Sequence, residues 1–556
     1  MSAPEQAGPS TARAQPVAPR HRRATRPGWH RPAAIGVLVA GCILALFFLY
    51  LHQSRTQAVD ADGAGNVLQA WDMLHGNPLL RGWWLSDVSF YTTELPQYAL
   101  IAWVRGLGPD VVHVGGAMTY LLVMICAALL AKGDATGRDA AIRVLVPVGI
   151  MLGPQVGVGS YVLLLNPAHV GTGVPVLLTW LVLDRLKQQW YVPIIVGVLL
   201  TWGAVADPLV TYIAAAPLVF VALLRLLGRR DAWWFNLGLA AAGGASYGLS
   251  TLILHTIKSA GGFSVAAPVK SLTTWAAFHT NLRSTFEDVL LLFGADLYRV
   301  VPQTDIFQQP ANPHGPFDII VATVHLVGLA LVCAAVAATL WRFWRRAAPI
   351  EQLILVGIAV DFIAFLVRAR PDQNLTNSRQ IVLVLPLGAV LAGRFVARFV
   401  AKRRAVHRGR VLAALALVFG VYSAGLLYNL HVDEVPAQAQ DVADWLEQHD
   451  LHYGVAGYWG ASPITVDSGN RVKVRPVVAV GNYMVPAAWE SSLEWYDPHK
   501  YNATFAVIDN LNASYAAYLT EAQATTALGK PAERHQIGAY TILIWHNKNL
   551  LDRPGA

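Results

Sequence analysis

Charged side chains are scarce in this sequence, 14% of 556 residues, whereas 55% are apolar. That balance excludes a soluble enzyme of this length, which needs far more charge to cover its surface. Cysteine is scarcer still: Cys42, Cys126 and Cys333 each sit inside an apolar run, and none has a partner at C-x-x-C spacing. Neither a disulfide framework nor a thiolate metal site is therefore expected. A polybasic groove with interleaved aromatics is also missing, and the net charge of +8 falls in clusters between apolar runs. Such clusters signal membrane topology and not a nucleic-acid partner. No internal repeat is visible, which weighs against a transporter built from paired, broken helices.

What the sequence has instead is apolar runs of spanning length. Residues 1–31 are rich in Pro, Ala and Arg and finish in a basic block, so a disordered cytoplasmic tail is expected there. Residues 33–51 follow as an uncharged run long enough to cross a bilayer. Further runs lie near 111–131, 143–163, 171–184, 191–206, 209–225, 233–256, 317–340, 350–367, 379–394 and 411–430, which with the first makes eleven. Arg and Lys occupy every second loop: Lys132 to Arg143, Arg185 and Lys187, Arg225 to Arg230, Arg342 to Arg346, and Arg394 to Arg410. The alternation predicts a helical polytopic protein with the N-terminus inside and the C-terminus outside. The fourth and fifth runs are short enough to be re-entrant or tilted.

The membrane domain, residues 32–430, thus presents two long outer loops, 52–110 and 257–316. The second holds Phe263, Trp275, Phe278 and Phe286, an aromatic content that suits interfacial helices. Residues 431–556 turn soluble in composition, and a small outer α/β domain is expected from them. Ala439, Val442, Ala443 and Leu446 share a helical face, and YGVAGYW, ITVD, VKVRPVVAV, TFAVIDN and YTILIWH read as strands. Tyr458, Trp459, Trp489, Trp495 and Tyr496 suit sugar stacking or an ordinary core, and core is the simpler reading.

The chemistry concentrates in the first outer loop. Asp60 and Asp62 stand ahead of a Gly63, Gly65 pair that reads as flexible, and Val67, Ala70, Trp71 and Leu74 then repeat at helical spacing. Gly76 and Pro78 mark the stop. Acids just before a helix feel its positive end, which favours the ionised form. A carboxylate there can accept a proton or ligate a cation, or it can simply cap the helix. His169, in the Asn166 to Val170 loop, could join the acids around a metal; Asp207, before Pro208, suits a turn or a second site carboxylate; and Asp361 is an ionisable group inside a span.

These residues carry a resemblance. The acid pair after the first span, the A-W-D-M-L-H-G-N helix, a tryptophan-rich turn and the run Phe90, Tyr91, Thr92, Thr93, Glu94, Leu95, Pro96 resemble the first external loop of GT-C superfamily glycosyltransferases. The branch with protein O-mannosyltransferases and lipid A aminoarabinose transferases looks most similar, and the Arg/Ala/Val-rich composition points to a bacterial source. Arg379 followed by Leu385, Pro386 and Leu387 is similar to a second signature of that branch.

The resemblance implies an inverting transferase that moves a sugar from a polyprenyl-phosphate donor to an envelope glycan, lipid or protein acceptor at the outer face of the plasma membrane. On that likeness Asp60 or Asp62 is the base, with Asp60 preferred, and a divalent cation such as Mg or Mn would lie between Asp60, Asp62 and His169. Arg379, Arg81 and Arg299 are the candidates for the donor phosphate, and Glu94, Tyr91 and Asp87 for substrate. The chain departs from the pattern in having Asp-Ala-Asp for the usual Asp-Glu and in lacking a lysine near the next helix. A lipid transporter or flippase and a non-catalytic scaffold with a glycan-binding C-terminal domain are the competing classes.

Overall fold

The computed structural model describes residues 30–165, 169–228, 232–267, 271–297, 315–344, 347–369, 374–510 and 519–552. Arg299, the stretch 166–168 and most of the basic tail lie outside the described residues. All eleven apolar runs are helical. The helices of the membrane part are, in order, α1 (His30–Arg55), α2 (Ala61–Leu74), α3 (Glu94–Arg105), α4 (Asp110–Lys132), α5 (Gly137–Met151), α6 (Val158–Leu164), α7 (Gly173–Arg185), α8 (Val192–Ala206), α9 (Ala216–Gly228), α10 (Trp233–Ser259), α11 (Trp275–Leu292), α12 (Pro316–Arg342), α13 (Pro349–Val367), α14 (Val384–Ala401) and α15 (Ala405–Tyr428).

Seven of them, α1, α4, α10, α12, α13, α14 and α15, are long and apolar enough to cross a membrane, which makes this a multi-pass membrane protein. The other four runs form shorter helices. The run at 143–163 breaks into α5 and α6, because Gly153, Pro154 and Gly157, the last at φ +85°, interrupt it. The runs at 171–184 and 191–206 give α7 and α8 of 13 and 15 residues, and that at 209–225 opens with a π-helical turn, Thr211–Ala215.

Most of α4 and α14 is buried, so these two helices form the centre. Close backbone approach holds them to their neighbours: a side chain at Gly393 would meet the Arg143 carbonyl at 2.7 Å. At the end of the helices rich in Arg and Lys, Arg394 donates to Asp184 at 2.7 Å and to the Leu130 carbonyl at 2.6 Å, tying α14 to α7 and α4. The other end carries the acids of the first loop. Asp110 opens α4 there, and Arg55 at the close of α1 donates to it at 2.7 Å.

The C-terminal part contains α16 (Gln440–Gln448), β3 (Tyr453–Ala456), α17 (Tyr458–Asp467), β4 (Lys473–Val480), β5 (Tyr483–Pro486), β6 (Ser491–Ser492), β7 (Phe505–Asp509), α18 (Glu521–Leu528), β8 (Glu533–Ile537) and β9 (Tyr540–Ile544), while β1 (Trp83–Leu85) and β2 (Ser264–Val265) belong to the two long loops. Six of the C-terminal strands form one sheet in the order β5-β4-β3-β7-β9-β8, parallel at β4-β3-β7 and antiparallel elsewhere. Alternation puts Ala456, Val507 and Ile542 on the face covered by α16 and α17, and Val455, Ala506 and Leu543 on the face covered by α18. The expected helical face, Ala439, Val442, Ala443 and Leu446, is buried against the sheet. Phe505 is fully buried across from Gly454, where any side chain would sit 2.3 Å from its ring. Burying that ring contributes about 1.5–3 kcal/mol, and Gly454→Ala would disrupt the packing.

Two expectations are corrected here. ITVD is not a strand; it closes α17, the crossover between the parallel strands β3 and β4, which a parallel pair requires. Nor is the Gly63, Gly65 pair a flexible link. Both glycines lie inside α2, which begins at Ala61. A second, three-stranded sheet was not legible at all: β1 of the first loop pairs in parallel with β2 of the long loop and antiparallel with β6 of the C-terminal part. It fixes all three segments in register.

Candidate active site

The helix start decides where the two acids go. Asp60 has extended backbone and caps α2, its Oδ1 accepting the Gly63 N–H at 2.8 Å. Its Oδ2 accepts the Tyr161 hydroxyl at 2.5 Å, and the residue is 4% exposed. Burial first, and the charge of Asp62 second, push its carboxyl up to about 6, against the pull of the Gly63 and Tyr161 bonds. Asp62 falls two residues further, inside α2. The Tyr458 hydroxyl donates to its Oδ1 at 2.6 Å, and the Arg379 guanidinium lies 3.6 Å from its Oδ2. Its side chain keeps 16% of its surface open.

Three separate parts of the chain therefore converge on two carboxylates. Arg379 comes from a 3₁₀ turn, Leu375–Ile381, directly before α14, Tyr161 from α6 and Tyr458 from the start of α17. The C-terminal part adds a third carboxyl, Glu490, which is 2% exposed and within 3.4 Å of the Tyr458 hydroxyl. Burial and the nearby Asp62 hold Glu490 well above the ordinary carboxylate range. Its backbone is left-handed at φ +45°, a conformation that costs a residue with a side chain about 1–3 kcal/mol. Gly65 on α2 makes room for it, because a Cβ there would lie 2.4 Å from Glu490 Oε2.

The remaining expected residues scatter. Asp87 is half-buried and adds its charge to the surroundings of Arg379. Tyr91 is a packing residue: its hydroxyl donates to the Pro78 carbonyl at 2.8 Å and its ring lies on Phe263. Arg81 is exposed in the turn after α2, where its N–H is held by Asn77, and no contact among the described residues joins it to the acids.

His169 and Glu94 belong to a second polar cluster. His169 Nδ1 stands 2.7 Å from Asp207 Oδ2, which the Thr172 hydroxyl also reaches, and Leu209 N–H donates to Asp207 Oδ1 at 2.9 Å. Burial works to raise the Asp207 carboxyl, but His169 and these bonds outweigh it and leave it lowered. Glu94 beside them is 1% exposed, takes the Thr93 hydroxyl, and is pushed by burial up to about 7. Asp361 is buried in α13 close to Asp207.

The expectation that His169 joins the first-loop acids is corrected on this geometry. His169 pairs with Asp207 and not with the first-loop acids, and three of the four oxygens of Asp60 and Asp62 already accept N–H or O–H donors while the fourth faces a cation. No group of three or more His, Cys, Asp or Glu able to hold a metal ion occurs among the described residues.

Tyr161 and Glu490 were not found by sequence reasoning, and Tyr458 was read as core. Their partners are 101, 428 and 396 residues away in the chain, taking Glu490 to Asp62 as the second of these. No local pattern marks such a contact.

Neither a family model nor a curated protein sequence matches this chain. Solved structures do. ArnT from Cupriavidus metallidurans bound to undecaprenyl phosphate is similar over 94% of this chain and 99% of its own, at 12% identity and a TM-score of 0.53. The same protein in the apo state gives 13% identity, 94% and 100% coverage, and a TM-score of 0.51. The oligosaccharyltransferase of Archaeoglobus fulgidus, tethered to an acceptor peptide, is a looser likeness at 14% identity, 88% and 71% coverage and a TM-score of 0.43. The chain shares the fold of ArnT over nearly its whole length, the C-terminal part included.

Proposed function

We propose that this protein, built on the GT-C fold, is an inverting membrane glycosyltransferase that takes a sugar from a polyprenyl-phosphate donor and gives it to an acceptor hydroxyl at the outer face of the plasma membrane. The observation that carries the reading is the pairing of a partly open carboxylate, Asp62, with the guanidinium of Arg379 at 3.6 Å, at the end of the helices away from the basic loops. A base and a phosphate-binding cation are the two groups such a transfer needs. A solved relative of this fold holds undecaprenyl phosphate, which supports a donor of that kind.

The geometry supports the following roles. Asp62 takes the proton of the acceptor hydroxyl as its oxygen forms a bond to the anomeric carbon. The bond from that carbon to the phosphate oxygen breaks on the opposite face, its electron pair stays on the polyprenyl phosphate, and the configuration inverts. Arg379 meets the charge that grows on the phosphate, a task its planar fork suits. Asp60 is the less suited base, because both its oxygens are engaged and the residue is closed to solvent. It caps α2 and fixes where Asp62 points. The remaining arginine of the resemblance that the structure describes, Arg81, is left at the surface.

The test is a panel of labelled polyprenyl-phosphate sugars offered to the purified protein in lipid vesicles with candidate glycan, lipid and protein acceptors. Consumption of one donor, with polyprenyl phosphate released and label on an acceptor, is expected. Passage of intact donor between leaflets without cleavage, or binding without turnover across the panel, would overturn the proposal in favour of a flippase or a scaffold.

A further inference from the structure

At the end of the helices rich in Arg and Lys, opposite the first-loop acids, a cavity of about 490 Å³ lies between the ends of α7 and α9 and the starts of α10 and α13. Protein interiors pack closely and leave few voids larger than a water, so a space of this size is filled by something other than the chain itself. The volume suits a small organic ligand.

The lining is graded along the helices. α7 and α9 run toward the basic end, while α10 and α13 start there and run away from it. The lining residues set deeper along the helices are apolar: Leu218 on α9, Leu239 on α10 and Leu353 on α13. Those nearest the end are polar: Lys187 after α7, Arg225 at the close of α9 and Asn236 near the start of α10. From Leu218 to Arg225 a helix rises about 10 Å, less than the depth of one leaflet's hydrocarbon, about 15 Å. The cavity therefore changes from charged to hydrocarbon-like over the length of one lipid.

Its charges call for an anion. Lys187 is exposed and makes no hydrogen bond or ion pair among the described residues. Arg225 is half-buried, and its Nη1 donates to Gln352 Oε1 at 3.0 Å, which ties the guanidinium to α13. Asp184, the acid in the lining, already has its cation, because Arg394 donates to it at 2.7 Å. Asn236 is 7% exposed; its amide N–H donates to the Ala232 carbonyl at 3.1 Å, and its oxygen has no partner among the described residues, which leaves an acceptor on the wall.

The surface around the cavity identifies the medium. Leu223 and Leu227 on α9 and Leu237 on α10 are exposed and apolar, as lipid-facing residues are. Trp190, Trp233, Trp234, Trp341 and Trp344 are exposed as well, and all lie at this end of the helices, a belt of the kind that marks the depth of lipid headgroups. Lys187 and Arg225 share that depth with the belt.

We propose that the cavity binds an anionic phospholipid of the leaflet on which the basic loops lie. Lys187 and Arg225 hold the phosphodiester, a headgroup hydroxyl donates to the Asn236 oxygen, and one acyl chain runs along Leu218, Leu239 and Leu353. A soluble anion would meet the cations but leave the apolar half unfilled. A zwitterionic lipid would bring its own ammonium to a mouth that already carries two cations. Basic pockets between membrane helices hold anionic headgroups for the same reason. The site uses neither Asp62 nor Arg379 and stands apart from the transferase reading.

The test is lipid binding to the purified full chain in detergent micelles, read by native mass spectrometry, with phosphatidylglycerol, phosphatidylcholine of the same acyl chains, and inorganic phosphate as competitor. One phosphatidylglycerol should stay bound at concentrations where phosphatidylcholine does not, and phosphate should not displace it. Lys187→Ala and Arg225→Gln should each weaken binding about fivefold, the loss expected for one cation at a lipid surface. Ala222→Phe keeps both cations and fills the cavity from a buried wall position, and it should weaken binding at least about tenfold. Wild-type affinity in Ala222→Phe would show that the lipid rides on the basic loops and would overturn the proposal. Equal binding of phosphatidylcholine, displacement by phosphate, or unchanged affinity in Lys187→Ala, whose side chain supports no other contact, would overturn it too.

Discussion

Asp60 and Asp62 are two residues apart and chemically opposite. Asp60 is closed off, with its oxygens on Gly63 and Tyr161, while Asp62 is partly open between Tyr458 and Arg379. The environment of Asp60 has a measurable consequence for stability. Unfolded, its carboxyl ionises near 3.8; folded, near 6. The folded state holds the proton more tightly, so the stability that this residue contributes is greatest below pH 3.8 and is lost as the pH rises toward 6, a difference of about 3 kcal/mol. Asp60→Asn keeps a good cap and removes the buried charge. It should therefore raise the melting temperature by a few degrees at pH 7.5 and leave it little changed at pH 4, as a thermal scan at both values would show. A gain of equal size at both would contradict this account of the residue.

At the scale of elements, α2 is the part that turns sequence into a site. Its amphipathic spacing, its stop and the acids at its start were all legible, because each is a local pattern of 3.6-residue period or a terminal signal. Gly65 was misread as flexibility because its reason lies 425 residues on, in Glu490. The pair makes a sharp prediction. In wild type Gly65→Ala drives a Cβ into Glu490 and should destabilise the protein by about 1–3 kcal/mol. In a Glu490→Gly background the obstacle is gone, and the same change should be neutral or stabilising, since alanine is the better helix former by about 0.5–1 kcal/mol. Denaturation of the four proteins in the cycle reads the reversal directly; an equal cost in both backgrounds would show that the two elements do not press on one another. The strands β1, β2 and β6, two or three residues long, were beyond sequence reasoning for a related reason. They are too short to alternate, and only their pairing defines them.

The whole molecule joins these pieces by contacts of long sequence separation. The apolar runs and the alternation of basic loops point to a polytopic protein, and composition sets its C-terminal residues apart, but neither shows that the C-terminal part reaches back into the first loop. That closure is made by the three-stranded sheet, by Val435 N–H on the Arg55 carbonyl at 2.9 Å, and by Tyr458 and Glu490 around Asp62. The C-terminal part thus sets Tyr458 and Glu490 beside Asp62, which on its other side faces Arg379. The most direct test of the central claim is transfer of labelled sugar from its polyprenyl-phosphate donor by the folded Asp62→Asn protein in vesicles, beside wild type and Asp60→Asn. The account predicts that Asp62→Asn loses at least a hundredfold in turnover, the range expected for removal of a general base, while Asp60→Asn loses less. Turnover by Asp62→Asn within a few fold of wild type would contradict it.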